Sequence, residues 1–329
     1  MERRIGLTLG DPAGIGAEII LKALSRLSKQ ERQLLLIIGS RFVLEKVGLN
    51  LNKIKYDLVD LDNVKKRNFS FGKTNLDCAK ASLEYLDKAH RLIKAGEIYG
   101  IVTCPVSKRS INLVRDDFYG QTEYLGGLDS AKIVRMMLLA SKLRFSLCTT
   151  HIPLKEVSKR LSIENIYKTI CLTALELERF FKIKMPKIGI CGLNPHLGEA
   201  GLLGREEIDF IKPAILKSQK ILKNIKVFGP HLLEGIVLKM REGQLDAAIC
   251  FYHDQAMLPL KLLYQETGIN LTLGLSFVRT SPLHGTAFDI AGKDKANPNS
   301  LLDAIRLTLR LVANAKDSSK KIPRSEFPY

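Results

Sequence analysis

Three histidines stand in short polar strings directly behind apolar runs: Thr149-Thr150-His151-Ile152-Pro153, Asn194-Pro195-His196-Leu197-Gly198-Glu199 and Phe251-Tyr252-His253-Asp254-Gln255. Imidazole suits Zn²⁺ or Co²⁺, and a three-histidine site leaves coordination positions open for a substrate oxygen, as a catalytic metal requires. A lone histidine behind a strand is more often a surface or hydrogen-bonded residue, and spacing does not decide here, because the three lie tens of residues apart. Downstream come groups that bind anions: Lys261 offers a point charge, Arg279 a bidentate fork, and Asn270 a neutral hydrogen-bond partner. Asn270 and Arg279 flank the apolar run Leu271 to Val278.

Two glycine-rich strings add a second kind of chemistry. Gly10-Asp11-Pro12-Ala13-Gly14-Ile15-Gly16 has the spacing G-x-x-x-G-x-G, which is neither the dinucleotide fingerprint nor a P-loop. Its glycines would let a ligand come close to the backbone at a helix N-terminus, with Asp11 toward a cleft, but a tight strand-to-helix turn explains them equally well. The second string, His284-Gly285-Thr286-Ala287-Phe288-Asp289-Ile290-Ala291-Gly292-Lys293, is followed by Ala296-Asn297-Pro298. It could hold an adenosine, with Asp289 accepting from ribose hydroxyls, or it could be an ordinary loop before a helix that starts near Asn297.

These strings need elements to position them. Short apolar runs at Ile5 to Leu9, Leu34 to Ile38, Ile98 to Thr103, Phe145 to Thr149, Lys187 to Cys191 and Asp246 to Phe251 read as buried strands. Helical spacing fills Ala17 to Leu27, Cys78 to Ala95, Ile163 to Phe181 and Glu206 to Ile221. The alternation predicts an α/β fold of layered, mostly parallel sheets, in which site residues gather at the carboxyl ends of the strands. With 329 residues, 46% of them hydrophobic, the chain can bury one large core or two. No apolar run approaches the roughly 20 residues of a membrane span, and the N-terminus carries no signal-peptide core, so a cytoplasmic location is expected. The six cysteines are scattered singly and read as buried thiols. A net charge of +17 favours anionic partners, yet no aromatic-interleaved basic stripe accompanies it, and a lysine-rich solvated surface is the simpler reading. The stretch from about Lys316 mixes Ser, Lys and Pro and reads as a loosely held tail.

Taken together and in order, these strings resemble the 4-hydroxythreonine-4-phosphate dehydrogenase family over nearly the whole chain, from the Gly10 turn to the His284-Gly285-Thr286-Ala287 loop. That loop also resembles the adenosine-binding loop of isopropylmalate and isocitrate dehydrogenases, and the resemblance implies their two-domain fold with a cleft between domains. One cofactor-binding domain (1–112 plus 266–329) and one dimerisation and metal-binding domain (113–265) are expected. The resemblance further implies NAD or NADP as cofactor, one divalent metal (Zn, Mg or Co) held by His151, His196 and His253, and a homodimer whose active site is shared, with His253 reaching it from the partner of the chain that supplies the other two. It implies substrate contacts from Gln121, Thr122, Lys261, Asn270 and Arg279, and cofactor contacts from His284, Gly285, Asp289 and Asn297. The segment Cys104-Pro105-Val106-Ser107-Lys108 would border the cleft. Lys261 is a candidate proton acceptor, and Asp254 could orient its neighbouring histidine.

Two positions depart from the family pattern. Gln121 stands where a histidine is usual before Thr122; it can donate to phosphate but carries no positive charge. Glu234, in Gly229-Pro230-His231-Leu232-Leu233-Glu234, stands where an aspartate is expected. The implied activity is oxidation of 4-phosphooxy-L-threonine followed by decarboxylation, with neither nucleic acid nor membrane as partner. A related dehydrogenase of another phosphorylated hydroxy acid is the alternative. A zinc phosphohydrolase would have no need of the His284 loop, and a nucleic-acid-binding protein would leave the histidines unexplained.

Overall fold

In the computed structural model residues 3–48, 54–73 and 75–316 are described. They form two compact units, the first running to Val134 and resuming at Ile269–Ala313, the second comprising Arg135–Gly268 and the end of the last helix from Asn314. The segment 113–134, placed by the sequence reading in the second domain, thus lies with the first unit. Its helix Gln121–Leu128 packs on the helix Leu76–Lys94. The Tyr124 hydroxyl donates to Asp87 (2.5 Å), and Lys94 pairs with Asp129 (2.9 Å).

With strands numbered along the chain, the first unit holds β1 (Ile5–Thr8), β2 (Leu35–Gly39), β3 (Asp57–Asp60), β4 (Gly100–Thr103), β10 (Ile269–Leu273) and β11 (Val278–Pro282), in the order β3-β2-β1-β4-β11-β10. Strands β1, β2 and β4 are buried along their whole length, as expected of parallel strands covered on both faces. The helices Gly16–Arg26 and Leu76–Lys94 supply the cover. The first buries Ile19, Ile20, Ala23 and Leu24; the second buries Cys78, Ala81, Tyr85 and Ala89 and starts on Asn75, which accepts from the Cys78 N–H. Strand β11 runs parallel to β4 and antiparallel to β10. The apolar run Leu271 to Val278 is therefore no single strand: it turns back on itself at Gly274 (φ +94°), setting Thr272 opposite Arg279 and Asn270 opposite Ser281.

The second unit holds β5 (Arg135–Ala140), β6 (Leu143–Leu147), β7 (Lys187–Cys191), β8 (Lys226–His231) and β9 (Ala247–Cys250), in the order β5-β6-β9-β7-β8. All neighbours are parallel except the β5–β6 hairpin. Ser162 caps the helix Ile163–Phe181, which packs on β6 and β9 and ends on a left-handed Lys182. The stretch expected as one helix from Glu206 opens with a π-helical turn, Glu207–Ile211, before the α-helix Lys212–Ile221. Pro213 has no N–H for the Asp209 carbonyl, so the regular ladder cannot run through.

All six cysteines are buried. Among the described residues no helix is long and apolar enough to cross a membrane. Of the tail expected from about Lys316, Lys316 itself ends the last helix and the rest lies outside the described residues.

Candidate active site

Arg279 is the largest fully buried side chain among the described residues, 2% exposed. It points from β11 to the face it shares with Thr103 on β4 and Thr272 on β10. Its Nε and Nη2 donate to Thr103 Oγ1 (3.1 and 2.7 Å), and its Nη1 donates to Thr272 Oγ1 (3.1 Å) and Thr122 Oγ1 (3.3 Å). Burial pushes its pKa down to about 10, opposed by the Glu123 carboxylate. None of the ion pairs among the described residues includes it. A buried cation held only by hydroxyls retains much of its desolvation cost, which an arriving carboxylate or phosphate would offset.

Two orphaned acceptors lie along this group. The Gln121 amide donates to the Cys104 carbonyl (3.2 Å), which leaves its Oε1 buried without a partner. Asn270, two residues before Thr272 and so on the same strand face, has a buried Oδ1 without a partner. One N–H of the Gln121 amide faces Cys104, and its Oε1 is left as an acceptor beside the second N–H. One cation, three hydroxyls and two acceptors suit a small anion that also carries hydrogen-bond donors.

The Gly10 turn works differently from the ligand cradle considered above. A Cβ on Gly10 (φ +72°) would stand 2.4 Å from the Pro105 carbonyl, and one on Gly16 2.0 Å from that of Leu9. These glycines admit other parts of the same chain. Asp11 is buried, and its Oδ1 accepts from the Ala13 N–H (3.0 Å). The turn also seats the other glycine-rich loop, since Ile15 N–H donates to the Thr286 carbonyl (3.1 Å). Further along, Lys22 pairs with Asp294 (2.8 Å) and Glu18 (3.0 Å) and donates to the Ala296 carbonyl, while Glu18 accepts from the Ala296 N–H (2.7 Å). On this braced loop Gly285 and Asp289 are exposed and His284 is half-buried; nothing lies within 4 Å of a Cβ built on Gly285. Asn297 spends its Oδ1 on the Asn299 N–H (2.9 Å), at the start of the helix Asn299–Lys316.

In the second unit the pairing of β6 with β9 runs on past the strands, through Cys148 N–H to the Cys250 carbonyl and Thr149 N–H to that of Phe251. Two residues further on each side stand His151 and His253, ring centres 5.5 Å apart. Metal–nitrogen bonds of about 2.0–2.1 Å put two imidazoles that share an ion at roughly this separation. His253 opens the helix His253–Leu263, and its Nδ1 meets Asp254 Oδ1 at 2.7 Å, which leaves Nε2 for a ligand. His196 is exposed on the loop after β7, and no group of three metal-binding side chains comes together among the described residues. Within one chain His151 and His253 lie side by side because β6 and β9 are neighbouring parallel strands, and β7, on the other side of β9, leads into the loop that carries His196. Lys261 is half-buried in the last turn of the helix that His253 opens. Glu234 lies in the first turn of the helix Leu233–Arg241.

Comparison with known proteins decides the lineage. The family model described as pyridoxal phosphate biosynthetic protein PdxA matches residues 19–308. The chain belongs to the PdxA family. It is 39% identical over 318 residues to the 4-hydroxythreonine-4-phosphate dehydrogenase of Aquifex aeolicus, covering 93% of this chain and 98% of that one. It is 38% identical to a Bradyrhizobium diazoefficiens protein that bears D-threonate 4-phosphate dehydrogenase as a provisional name, covering 96% and 99%. The crystal structure of 4-hydroxythreonine-4-phosphate dehydrogenase from Klebsiella pneumoniae superposes with a TM-score of 0.84 at 31% identity, covering 95% and 98%. An isocitrate dehydrogenase from Methylococcus capsulatus shares the fold (TM-score 0.50, 14% identity).

For a PdxA chain, the residues that sequence reasoning missed are those that hold the named ones. Thr103 and Thr272 carry Arg279 but are inconspicuous hydroxyls inside apolar strands. Gln255 bridges the histidine loops, accepting from Phe251 N–H (2.8 Å) and donating to the Gly192 carbonyl (2.7 Å). Its place two residues behind His253 was the only available signal.

Proposed function

We propose that this PdxA enzyme oxidises 4-phosphooxy-L-threonine, with NAD or NADP and a divalent metal, to 2-amino-3-oxo-4-phosphooxybutanoate, which loses CO₂ to give 3-amino-2-oxopropyl phosphate. The observation that carries this reading is Arg279, a buried guanidinium with hydroxyl partners only, flanked by the unsatisfied acceptors of Gln121 and Asn270. Arg279 takes an anionic end of the substrate, with Thr122 beside it. The Asn270 and Gln121 oxygens accept from its hydroxyl or ammonium group, and a ligand lacking those donors leaves them unpaired.

The donor chemistry of His151 and His253 fits a borderline divalent ion, and Asp254 sets the His253 tautomer. We assign the third ligand, His196, to the partner subunit of a homodimer formed through the second unit. Exposed Leu258, Leu262 and Leu263 on the His253 helix, and Leu202 and Leu203 on the His196 loop, support that face. When bound, the metal supplies Lewis acidity at the substrate hydroxyl and the nicotinamide supplies the hydride acceptor. The open backbone at Gly285, with His284 and Asp289 on the braced loop, fits the adenosine half of the cofactor; Asn297 contributes through the helix start. Lys261 is the candidate proton acceptor. The buried free thiols suit a reducing cytoplasm.

The acceptor left by Gln121 also suits a 2-hydroxy acid, which favours D-threonate 4-phosphate as second reading. Steady-state assays of both substrates, followed by NADH or NADPH absorbance before and after chelation, separate the two. Activity that survives metal removal, or none on either substrate, overturns the proposal. Replacing His151 or His253 by alanine is expected to abolish turnover.

A further inference from the structure

The segment that carries His196 is built around an internal carboxylate. Glu207 is 0% exposed and takes part in no ion pair among the described residues. Its Oε1 accepts from the backbone N–H groups of Leu193 and Asn194, both at 2.8 Å, and its Oε2 accepts from Asn194 Nδ2 at 2.9 Å. Glu206 accepts from the same Nδ2 at 2.7 Å and also from the Ser158 hydroxyl. Immediately beyond, His196, Leu197, Gly198, Glu199 and Ala200 all have left-handed backbone, with φ of 51°, 59°, 79°, 43° and 57°. Residues with a Cβ hold that conformation only where their surroundings dictate it. Glu207 reaches both the entrance and the middle of that turn, since a Cβ on Gly198 would come within 2.9 Å of its Oε2.

We propose that Glu207 is the positioning residue of His196: its buried charge gathers the N–H groups at the entrance of the left-handed turn and so sets where the imidazole is presented. A buried ionised carboxylate is expensive unless donors surround it, and here every donor in contact with it comes from residues 193 and 194. The π-helical turn in which Glu207 stands is what brings its side chain beneath the loop. Because Glu207 reaches no ring nitrogen of His196 in these contacts, it acts on the backbone of the loop, as a partner once removed from the metal. This inference rests on His196 being a metal ligand.

The test is Co²⁺ titration of the metal-stripped, full-length protein, followed by visible absorption, for wild type, His196→Ala, Glu207→Gln and Asn194→Ala. Glutamine keeps the volume of Glu207 but turns an N–H₂ toward groups that can only donate. The expected result is Co²⁺ affinity lowered about 10–100-fold with an altered absorption band in Glu207→Gln, and a smaller change in the same direction in Asn194→Ala. Should Glu207→Gln fail to fold, the half-exposed Asn194 variant decides alone. Wild-type affinity and spectrum in the positioning variants, with His196→Ala impaired, overturns the role of Glu207 and leaves His196 a ligand. Wild-type Co²⁺ binding by His196→Ala overturns both. A lowered melting temperature without any change in Co²⁺ affinity or spectrum counts against the proposal.

Discussion

At the scale of single residues, Arg279 shows how function and stability oppose each other. Its guanidinium is taken out of water and given hydroxyls in place of a counter-charge. Replacing a buried, poorly compensated charge with an apolar side chain of similar volume is often neutral or stabilising, by about 1–4 kcal/mol. Arg279→Met is therefore expected to unfold at the same or a higher urea concentration than wild type. The same variant should raise KM for the phosphorylated substrate at least 30-fold, equivalent to about 2 kcal/mol of lost anion binding. Urea titration and steady-state kinetics on one preparation check both halves. The chemical type of this residue was legible in the sequence. Its burial was not, because it depends on the apolar run before it folding back as a hairpin that sets Thr272 opposite Arg279.

At the scale of elements, the first unit is organised by close backbone approach. Gly10 is left-handed and lies against the carbonyl of Pro105, so Gly10→Ala should cost about 3 kcal/mol, measurable as a fall in the urea midpoint. The same turn seats the 284–297 loop, which Lys22, Glu18 and Asp294 then brace. The spacing of the glycines left a tight strand-to-helix turn and a ligand cradle equally open; which group needs the missing Cβ depends on segments about 95 and 270 residues away and carries no local signal. The histidine pair follows a similar logic. Their position behind strands could be read, but that β6 and β9 are neighbours, and deliver His151 and His253 side by side, depends on strand order.

At the scale of the whole molecule, acid sensitivity follows from two half-buried imidazoles, one in each unit. Burial lowers the pKa of His90, with Lys94 adding repulsion against opposing carboxylates Asp129 and Asp87; burial and Lys239 lower that of His231. The folded protein thus takes up protons less readily than the unfolded chain. The contribution of these groups is fully present above the unfolded imidazole pKa of about 6.5 and is lost as pH falls below it toward the folded values. The melting temperature is expected to stay level from about pH 8 to 7 and to drop between about 6.5 and 5, with a shallower drop in the His90→Gln, His231→Gln double variant. Thermal scans across that range check it. A slope unchanged in the double variant would assign the effect to other groups.

Sequence by itself determined the layered α/β class, the elements that carry the chemistry, the family and the identities of the candidate side chains, because apolar periodicity, glycine spacing and residue type are local properties of the chain. Tertiary structure decided which of those side chains meet. It joined His151 to His253, turned the amide of Gln121 toward Cys104 with its Oε1 left as an acceptor, buried Arg279 among three threonines, and set Glu207 under the His196 loop. Each of these depends on strand order, on hairpin register or on the path of a loop, which are fixed by packing between segments far apart in the chain.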